Sequence, residues 1–198
     1  LASHQLRTPA TGVKQYLGML LGDFAGTLTD DQRLLAQHAY DSNDRQLNVV
    51  SDLLSVAQAD AGKISLQRKP IDLVEFIYNI IDEQASKFVE RQQTVSFKHA
   101  SGPCVAKLDP TRMRMVLENL VDNASKYTTQ GKKITISLTR PKPGLVRIAV
   151  KDQGVGIDAA NLEAIFDKFI RVNNPLSDIV GGSGLGLYLV KKVVELHD

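Results

Sequence analysis

The chain has 198 residues, and its 43% hydrophobic content is sufficient for one large domain or two ordinary ones. Its 24 basic and 22 acidic side chains are interspersed and leave a net charge of +2, which excludes a strongly basic footprint for nucleic acid or a membrane surface. A single cysteine, Cys104, excludes an internal disulfide, and the four histidines are too scattered for a structural zinc site.

The first part of the chain predicts two long helices. Over residues 1–21 apolar residues recur at spacings of three, four and seven, and Gly22 ends this pattern. Thr29 and Gln32 have the spacing of a capping box, which starts a second helix of about nine turns. The apolar stripe of that helix consists of Leu35, Leu47, Val50, Leu54, Ala57 and Ala61. Because one hairpin cannot bury both apolar stripes, we expect a dimeric four-helix bundle.

A histidine lies near the start of the first helix, in the segment Ser3-His4-Gln5-Leu6-Arg7-Thr8-Pro9. Pro9 has no N–H for the carbonyl of Gln5, so it loosens or kinks the helix one turn after the histidine. His4 and Thr8 are four residues apart and therefore share a face. A neutral imidazole can act as a nucleophile at neutral pH. His4 is explained equally well as a polar residue on a solvated helix face.

Glycines become frequent beyond residue 62, where strands alternate with helices, and we place a domain boundary between residues 63 and 64. We predict strands at 64–69, 94–99, 105–108, 132–139 and 146–151. We predict helices at 72–90, from Pro110 onward and at 187–196. Asp72 and Glu75 have capping-box spacing at the start of the first of these helices.

The helix that begins at Pro110 carries a polar stripe of Asn119, Asn123, Lys126 and Tyr127. The solvated side of a helix is the usual explanation for such a stripe. Asparagine is a poor helix former, however, and two of them on one face indicate that their amides are in use. Mg²⁺ takes oxygen ligands, keeps several waters and binds substrate phosphates, so one asparagine oxygen is a sufficient contribution from the protein.

Two glycine-rich segments follow. Asp152-Gln153-Gly154-Val155-Gly156 lets the backbone approach a flat ligand while the carboxylate accepts from an exocyclic amine, although many surface turns share this pattern. The segment from Gly181 to Leu187 precedes the last helix and presents free N–H groups to phosphates. Its spacing fits neither a P-loop nor a Rossmann turn, and we expect residues 171–183 to form a flexible lid over a nucleotide.

In this order and spacing, the motifs resemble those of the transmitter core of bacterial sensor histidine kinases over essentially the whole chain. Ser3 to Pro9 resembles the H box, Asn119 to Asn123 with Lys126 and Tyr127 the N box, and Asp152 to Gly156 the first glycine box. Phe166 to Phe169 resembles the F box, although two core aromatics at the end of a helix explain this segment equally well. Gly182 to Leu187 resembles the second glycine box.

The resemblance implies a helical hairpin over residues 1–63 for dimerisation and histidine phosphotransfer. It also implies an α/β sandwich of the Bergerat (GHKL) type over residues 64–198 that binds ATP and Mg²⁺. Relatives continue with further strands after the last helix, so we expect the sandwich to be incomplete as given. No apolar run approaches the roughly 20 residues that cross a bilayer. We expect this chain to be the cytoplasmic portion of a parent protein that can be membrane-anchored.

The resemblance also implies roles for single residues. His4 is the phosphoacceptor with Gln5 and Thr8 beside it, Asn123 is the Mg²⁺ ligand, and Asp152 reads the adenine amino group. The other nucleotide contacts are expected from Asn119, Lys126, Tyr127, Gly154, Gly156, Lys168, Phe169, Arg171, Gly182, Gly184, Leu185, Gly186 and Leu187. Most relatives have an acidic residue where Gln5 stands, and a glutamine cannot take the imidazole proton, which leaves the speed of autophosphorylation open.

The function expected from this resemblance is ATP-dependent autophosphorylation of a histidine in a homodimer. Phosphotransfer to an aspartate of a response regulator, and removal of that phosphate, would follow. One alternative is an ATP-hydrolysing clamp of the gyrase and chaperone type. Those relatives place a glutamate where Asn119 stands, and Glu118 is rotated by about one hundred degrees around the helix. The other alternative is a catalytically weak dimeric adaptor that docks a receiver protein, for which Gln5 is the only support.

Overall fold

The computed structural model describes residues 2–172, 174, 176 and 181–197, without the side chains of residues 2–4 and 6. The chain divides into two compact units, Leu1–Lys63 and Ile64–Asp198. None of the described helices is both long and apolar enough to span a membrane.

The first unit is a helical hairpin of α1, Ala2–Leu21, and α2, Asp30–Asp60. The predicted capping box at the start of α2 is confirmed. The Thr29 hydroxyl accepts from the Gln32 N–H at 3.3 Å, and Gln32 Oε1 accepts from the Thr29 N–H at 3.0 Å. These two bonds satisfy two of the four N–H groups that a helix start leaves without partners.

Polar contacts hold the two helices antiparallel. Arg33 near the start of α2 donates to the Leu21 carbonyl at 2.7 Å. Further along α2, the buried amide of Asn43 donates to the Ala10 carbonyl at 2.8 Å. Lys14 forms an ion pair with Asp44, and this hydrogen bond raises the pKa of the lysine. Because Arg33 near the start of α2 contacts the end of α1 and Asn43 contacts its middle, the helices run in opposite directions.

The predicted apolar stripe of α2 is only partly buried. Leu47, Val50 and Leu54 are half-buried, whereas Leu35, Ala57 and Ala61 are exposed. The buried apolar position among the described residues of α2 is Val56, which the predicted stripe leaves out. A single partner helix covers only one side of α2, so the remaining apolar side chains of the hairpin face away from α1.

The second unit contains five strands and four described helices. In chain order these are β1 Lys69–Asp72, α3 Leu73–Glu83, α4 Ala85–Glu90, β2 Thr94–His99, β3 Val105–Leu108, α5 Pro110–Tyr127, β4 Lys133–Lys142, β5 Leu145–Lys151 and α6 Gly186–Glu195. Short 3₁₀ turns lie at Ala159–Asn161 and Ala164–Phe166. Strand β1 pairs antiparallel with β3, while β4 lies between β2, which is parallel to it, and β5, which is antiparallel. A helical hairpin followed by an α/β domain is thus confirmed, and the dimeric bundle stays a prediction.

The core of the second unit lies between the helices α3 and α5 and the inner face of β4. Its fully buried members include Leu73, Ile77, Ile80, Leu117, Val121, Ile134 and Ile136. On another side of α5, Val116 packs against Val190 and Val193 of α6. Helix α5 therefore packs both on the main core and on α6, and it carries the predicted polar stripe in this central position.

Two predicted elements have different bounds in the structure. The strand begins at Lys69 and not at Ile64, because the N–H of Gln67 donates to a carboxylate oxygen of Asp109 and not to a neighbouring strand. The predicted helix over 72–90 is broken at Gln84, a buried polar residue four positions after Ile80.

The predicted capping box of α3 is replaced by another arrangement. One oxygen of Asp72 accepts from the Val74 N–H and from the Cys104 N–H, each at 3.0 Å. The cap therefore ties the start of α3 to the residue that precedes β3, a partner that the local sequence pattern does not contain.

Candidate functional site

The predicted phosphoacceptor segment lies on α1. The backbone of His4 is helical, and its side chain lies outside the part of the chain that the structure describes. Gln5 and Thr8 are exposed, and the helix continues past Pro9 to Leu21. The hairpin thus offers Gln5 and Thr8 on an accessible helical surface.

The polar stripe of α5 is held differently at each position. The Asn119 amide donates to the Met115 carbonyl at 2.9 Å, which turns its oxygen toward Gly186, where a Cβ would lie only 2.5 Å from it. Lys126 pairs with Asp122 at 2.6 Å. The half-buried carboxamide of Asn123 makes no hydrogen bond within the described residues. Asn119 is thus engaged by the protein, whereas the oxygen of Asn123 is available to a ligand.

The surroundings of Asn123 suit a magnesium ion with few protein ligands better than a metal ion held entirely by protein side chains. Among the described residues, no group of three or more His, Cys, Asp or Glu side chains could hold a metal ion. An ion at Asn123 would therefore take most of its ligands from water and from the phosphates of a bound nucleotide, which is the coordination that Mg²⁺ favours.

The first glycine segment is attached to the end of α5. The Val155 N–H donates to the Tyr127 carbonyl at 3.2 Å, and a Cβ on Gly154 would clash with the same carbonyl. The Gly154 N–H in turn donates to Asp152 Oδ1 at 2.8 Å. Gly156 has φ +73°, a conformation that favours glycine. The exposed Asp152 is thereby oriented through one oxygen, and its other oxygen remains for a ligand amine.

The F-box segment contacts the second glycine segment. The Phe169 N–H donates to the Gly184 carbonyl at 2.9 Å, and a Cβ on Gly184, which has φ +68°, would lie 2.8 Å from the Phe169 backbone. The Lys168 ammonium lies 5.0 Å from the centroid of the Tyr188 ring. Phe169 is 62% exposed, so the interpretation of this segment as two core aromatics is wrong for Phe169.

The residues of the second glycine segment do not all face the same way. Leu185 is fully buried, and its N–H donates to the Ser183 hydroxyl at 3.3 Å, so its side chain belongs to the core. Gly186 begins α6 and Leu187 is half-buried. Gly182 and Arg171 are exposed. Residues 173, 175 and 177–180 of the expected lid lie outside the described residues.

Three close contacts bring the predicted nucleotide motifs together: Asn119 with Gly186, Tyr127 with Gly154, and Phe169 with Gly184. Each contact joins two motifs that are distant in the sequence. They surround the polar face of α5 with two glycine segments whose backbone has no Cβ in the way. Such a surface admits a flat base at one end and phosphates near the start of α6.

The sequence analysis missed a polar cluster behind the end of α5, in which the half-buried Arg91 joins the buried Gln93, Ser125 and Thr128. Gln93 Nε2 donates to the carbonyls of Ser125 and Thr128, and Gln93 Oε1 accepts from the Ser125 hydroxyl. A signal was present, because Ser125 follows the buried Val121 by four residues and so occupies a core position.

A second missed contact anchors α6 to α5. His197 Nε2 accepts from the Asp109 N–H at 3.0 Å, and His197 Nδ1 donates to the Val193 carbonyl at 2.8 Å. The Asp109 side chain caps α5 by accepting from the Arg112 N–H at 3.1 Å. Burial by itself raises the pKa of Asp109, but hydrogen bonds from backbone N–H groups outweigh it and hold this pKa below its usual value.

The comparisons with known proteins agree with this geometry. Residues 2–62 match the family model of the His Kinase A (phospho-acceptor) domain. Residues 108–198 match the model of the histidine kinase-, DNA gyrase B-, and HSP90-like ATPase. The two models together cover most of the chain.

Similar proteins include the sensor histidine kinase WalK of Bacillus subtilis, which is 31% identical over 98% of this chain. The circadian input-output histidine kinase CikA of Synechococcus elongatus is 32% identical over 98% of this chain. The chain spans 32% and 26% of the lengths of these two relatives. Among solved structures, full-length ShkA in complex with AMPPNP matches with a TM-score of 0.79 and 27% identity, over 98% of this chain and 39% of ShkA.

Proposed function

Because the chain belongs to the sensor histidine kinases, as a transmitter core with a phospho-acceptor and an ATP-binding domain, we propose that it phosphorylates itself on His4 with ATP. The observation that carries this proposal is the joining of the nucleotide motifs. Asn119, Tyr127 and Phe169 each contact a glycine at which a Cβ would be in the way.

The binding domain supplies recognition and orientation. The free oxygen of Asp152 accepts from the adenine amino group, since the other oxygen is held by the Gly154 N–H. The phosphates lie near the start of α6, a helix of ten residues whose first N–H groups and dipole favour an anion. Asn123 would hold a Mg²⁺ ion, which when bound neutralises phosphate charge.

In the reaction, an imidazole nitrogen of His4 attacks the γ-phosphorus of ATP. A P–N bond forms, the bond from phosphorus to the β,γ-bridging oxygen breaks, and ADP leaves. Gln5 can orient the imidazole by a hydrogen bond but cannot take its proton, so the proton passes to solvent or to the β-phosphate of the leaving ADP. We therefore expect a slower reaction than an acidic residue at this position would allow.

The phosphoryl group then passes from His4 to an aspartate of a response-regulator receiver domain. Thr8 is exposed one helical turn beyond His4, where its hydroxyl can orient a water molecule for the removal of phosphate from that aspartate. We infer that the chain forms a homodimer through the hairpin and that it is the cytoplasmic portion of a longer parent protein.

The contacts of the N-box helix disfavour the two alternative functions. Glu118, the carboxylate nearest to the position of the water-activating glutamate, pairs with Arg114 at 3.6 Å. The position that a hydrolytic clamp requires for its general base is occupied by Asn119, whose amide cannot take a proton. A catalytically weak adaptor would not need glycines packed against α5 and the F-box segment.

Labelling with γ-³²P-ATP tests the proposal. We expect acid-labile, base-stable label in the protein, and we expect a His4→Ala variant to lose it completely. His38→Ala is the matched control, because His38 is an exposed histidine on α2 of the same hairpin, and it should label like the unmodified chain. Release of free phosphate without protein label would favour the clamp, and neither product would favour the adaptor.

A further inference from the structure

We propose that Gln93 is a positioning residue for adenine recognition, acting through the last turn of α5. This inference rests on the proposed function, because it assumes that Asp152 reads the adenine amino group. Gln93 lies between α4 and β2 and has only 9% of its surface exposed. It therefore cannot contact a bound nucleotide from solvent, and its effect on binding must pass through its neighbours.

Every hydrogen-bonding group of the Gln93 carboxamide is used. Nε2 donates to the Ser125 carbonyl at 2.8 Å and to the Thr128 carbonyl at 2.7 Å. Oε1 accepts from the Ser125 hydroxyl at 2.7 Å, and that hydroxyl accepts from Arg91 at 2.8 Å. A carboxamide with all of these bonds formed has a single orientation.

The two carbonyls that Gln93 holds lie on either side of Lys126 and Tyr127. The last four carbonyls of a helix have no partner inside it, so the end of α5 depends on outside donors. Gln93 supplies two such bonds, and the Val155 N–H supplies a bond to the Tyr127 carbonyl at 3.2 Å. Gln93 and the first glycine segment thus bind the same helical turn.

The connection reaches Asp152 in two further steps. The Tyr127 carbonyl binds Val155 and packs against Gly154, and the Gly154 N–H holds Asp152 Oδ1 at 2.8 Å. If the end of α5 moved, the Tyr127 carbonyl would move with it, and Gly154 could not stay against it without shifting Asp152. Gln93 therefore determines where the oxygen proposed to read adenine lies.

The experiment uses the whole chain and measures the dissociation constants of ATP and GTP by calorimetry, together with a thermal melt. We expect Gln93→Met, which keeps the size of the side chain but removes its three bonds, to lower the ratio of Kd(GTP) to Kd(ATP) by about tenfold, the equivalent of one hydrogen bond of about 1.4 kcal/mol. A loss of folded protein alone would reduce the number of binding sites and would not change this ratio.

Gln84→Met is the matched control. Gln84 is a buried glutamine of the same unit whose Oε1 has no partner, and within the described residues its side chain makes no bond to α5. We expect it to keep the ratio of the unmodified chain. If Gln93→Met does not fold, Ser125→Ala decides, because it removes the hydroxyl that orients Gln93 Oε1 and places a good helix former in α5.

Asp152→Asn separates the inference from the proposed function. The Asn oxygen would keep the bond to the Gly154 N–H and turn a donor toward the base, so the preference for ATP should disappear. If the unmodified chain shows no preference for ATP over GTP, both the role of Asp152 and this inference are wrong. If the chain and Asp152→Asn behave as expected but folded Gln93→Met keeps the ratio, or Gln84→Met lowers it equally, only the inference is wrong.

Discussion

At the scale of single residues, the site depends on glycines that allow close contact and on side chains that hold the helix bearing it. Gly154 and Gly186 touch Tyr127 and Asn119, positions at which any Cβ would have to displace its neighbour. Gly154 lies against the backbone carbonyl of Tyr127 and Gly186 against the side-chain oxygen of Asn119, whereas Asp152 and Asn123 each have an oxygen that we propose binds the ligand. On the hairpin, Gln5 and Thr8 are the exposed neighbours of His4, the proposed phosphoacceptor.

A substitution at Thr8 tests whether the two reactions proposed for the hairpin, labelling of His4 and dephosphorylation of a receiver, depend on different side chains. A Thr8→Ala variant should keep its His4 labelling within about twofold, because only the imidazole and the nucleotide must align in that step. Dephosphorylation of a phospho-receiver should slow by about tenfold or more, because the hydroxyl that we propose orients the water is lost. The rate of phosphate release from a purified, phosphorylated receiver domain measures the second effect.

Thr11→Ala is the control for this prediction, since Thr11 is an exposed threonine of the same helix whose hydroxyl donates to the Arg7 carbonyl. It should affect neither reaction. Equal losses of labelling and dephosphorylation in Thr8→Ala would mean that Thr8 serves only to hold the helix.

At the scale of elements, α5 positions the ATP-binding site, and both of its ends are held by side chains from elsewhere. Asp109 caps its start and also accepts from the Gln67 N–H at 2.8 Å, so it joins α5 to the segment before β1. Gln93 holds its end. Helix α6 is attached to the same start through His197. A change at Asp109 should therefore loosen the helix as a whole.

We expect Asp109→Ala to lower the free energy of opening of α5 by about 1–3 kcal/mol at pH 7, because two backbone N–H groups lose their acceptor. Hydrogen exchange of peptides within residues 110–127 measures this effect for α5 alone. Asp158→Ala is the control, because Asp158 precedes a 3₁₀ turn without a side-chain cap bond. An equal effect of both substitutions would contradict the capping role.

The effect of Asp109 should depend on pH in a definite direction. Its pKa is lower in the folded chain than in the unfolded chain, where it is about 3.9, so the unfolded chain binds the proton more readily. The stability that the ionised carboxylate contributes is complete above the unfolded pKa and is lost as the pH falls through the folded one. The difference between Asp109→Ala and the unmodified chain should thus be constant from pH 5 to 8 and shrink below about pH 4.

At the scale of the whole molecule, the hairpin leaves apolar side chains exposed when it is considered as a single chain. Leu35 and Leu53 are eighteen residues apart on α2, which is five helical turns, so they point in the same direction, and both are exposed. Tyr16, Val13 and Leu20 of α1 are exposed at helical spacing as well. An uncovered apolar face of this kind supports the proposed dimer.

We expect the chain to sediment as a dimer at micromolar concentration and Leu35→Glu to raise its dimer dissociation constant by at least about tenfold, because a charge would be buried in the bundle. Leu35 is 69% exposed in the single chain, and Val89 of α4 is 76% exposed. Val89→Glu therefore places the same charge at a similarly exposed apolar position of the other unit and should leave sedimentation unchanged. A concentration series by analytical ultracentrifugation decides, and a monomeric unmodified chain would contradict the bundle.

Features that depend on residues within one or two helical turns could be predicted from the sequence. The Thr29 capping box, the start of α5 at Pro110 and the strand β4 all follow from patterns within a few neighbouring residues. The motif order also predicted the ATP-binding domain, because each motif is a short contiguous segment. In such segments the covalent chain itself brings the interacting groups together.

Only the tertiary structure decided which distant groups meet. Gln93 and Ser125 are 32 positions apart, and nothing in their local sequence indicates a hydrogen bond between them. The second partner of Asp72, the break at Gln84 and the contact of Asn119 with Gly186 likewise depend on how separate elements pack. The sequence by itself thus determined most helices, most strands and the chemistry available at the site. Packing determined the positions of those groups, because a buried polar group must find its partner wherever the folded chain places one.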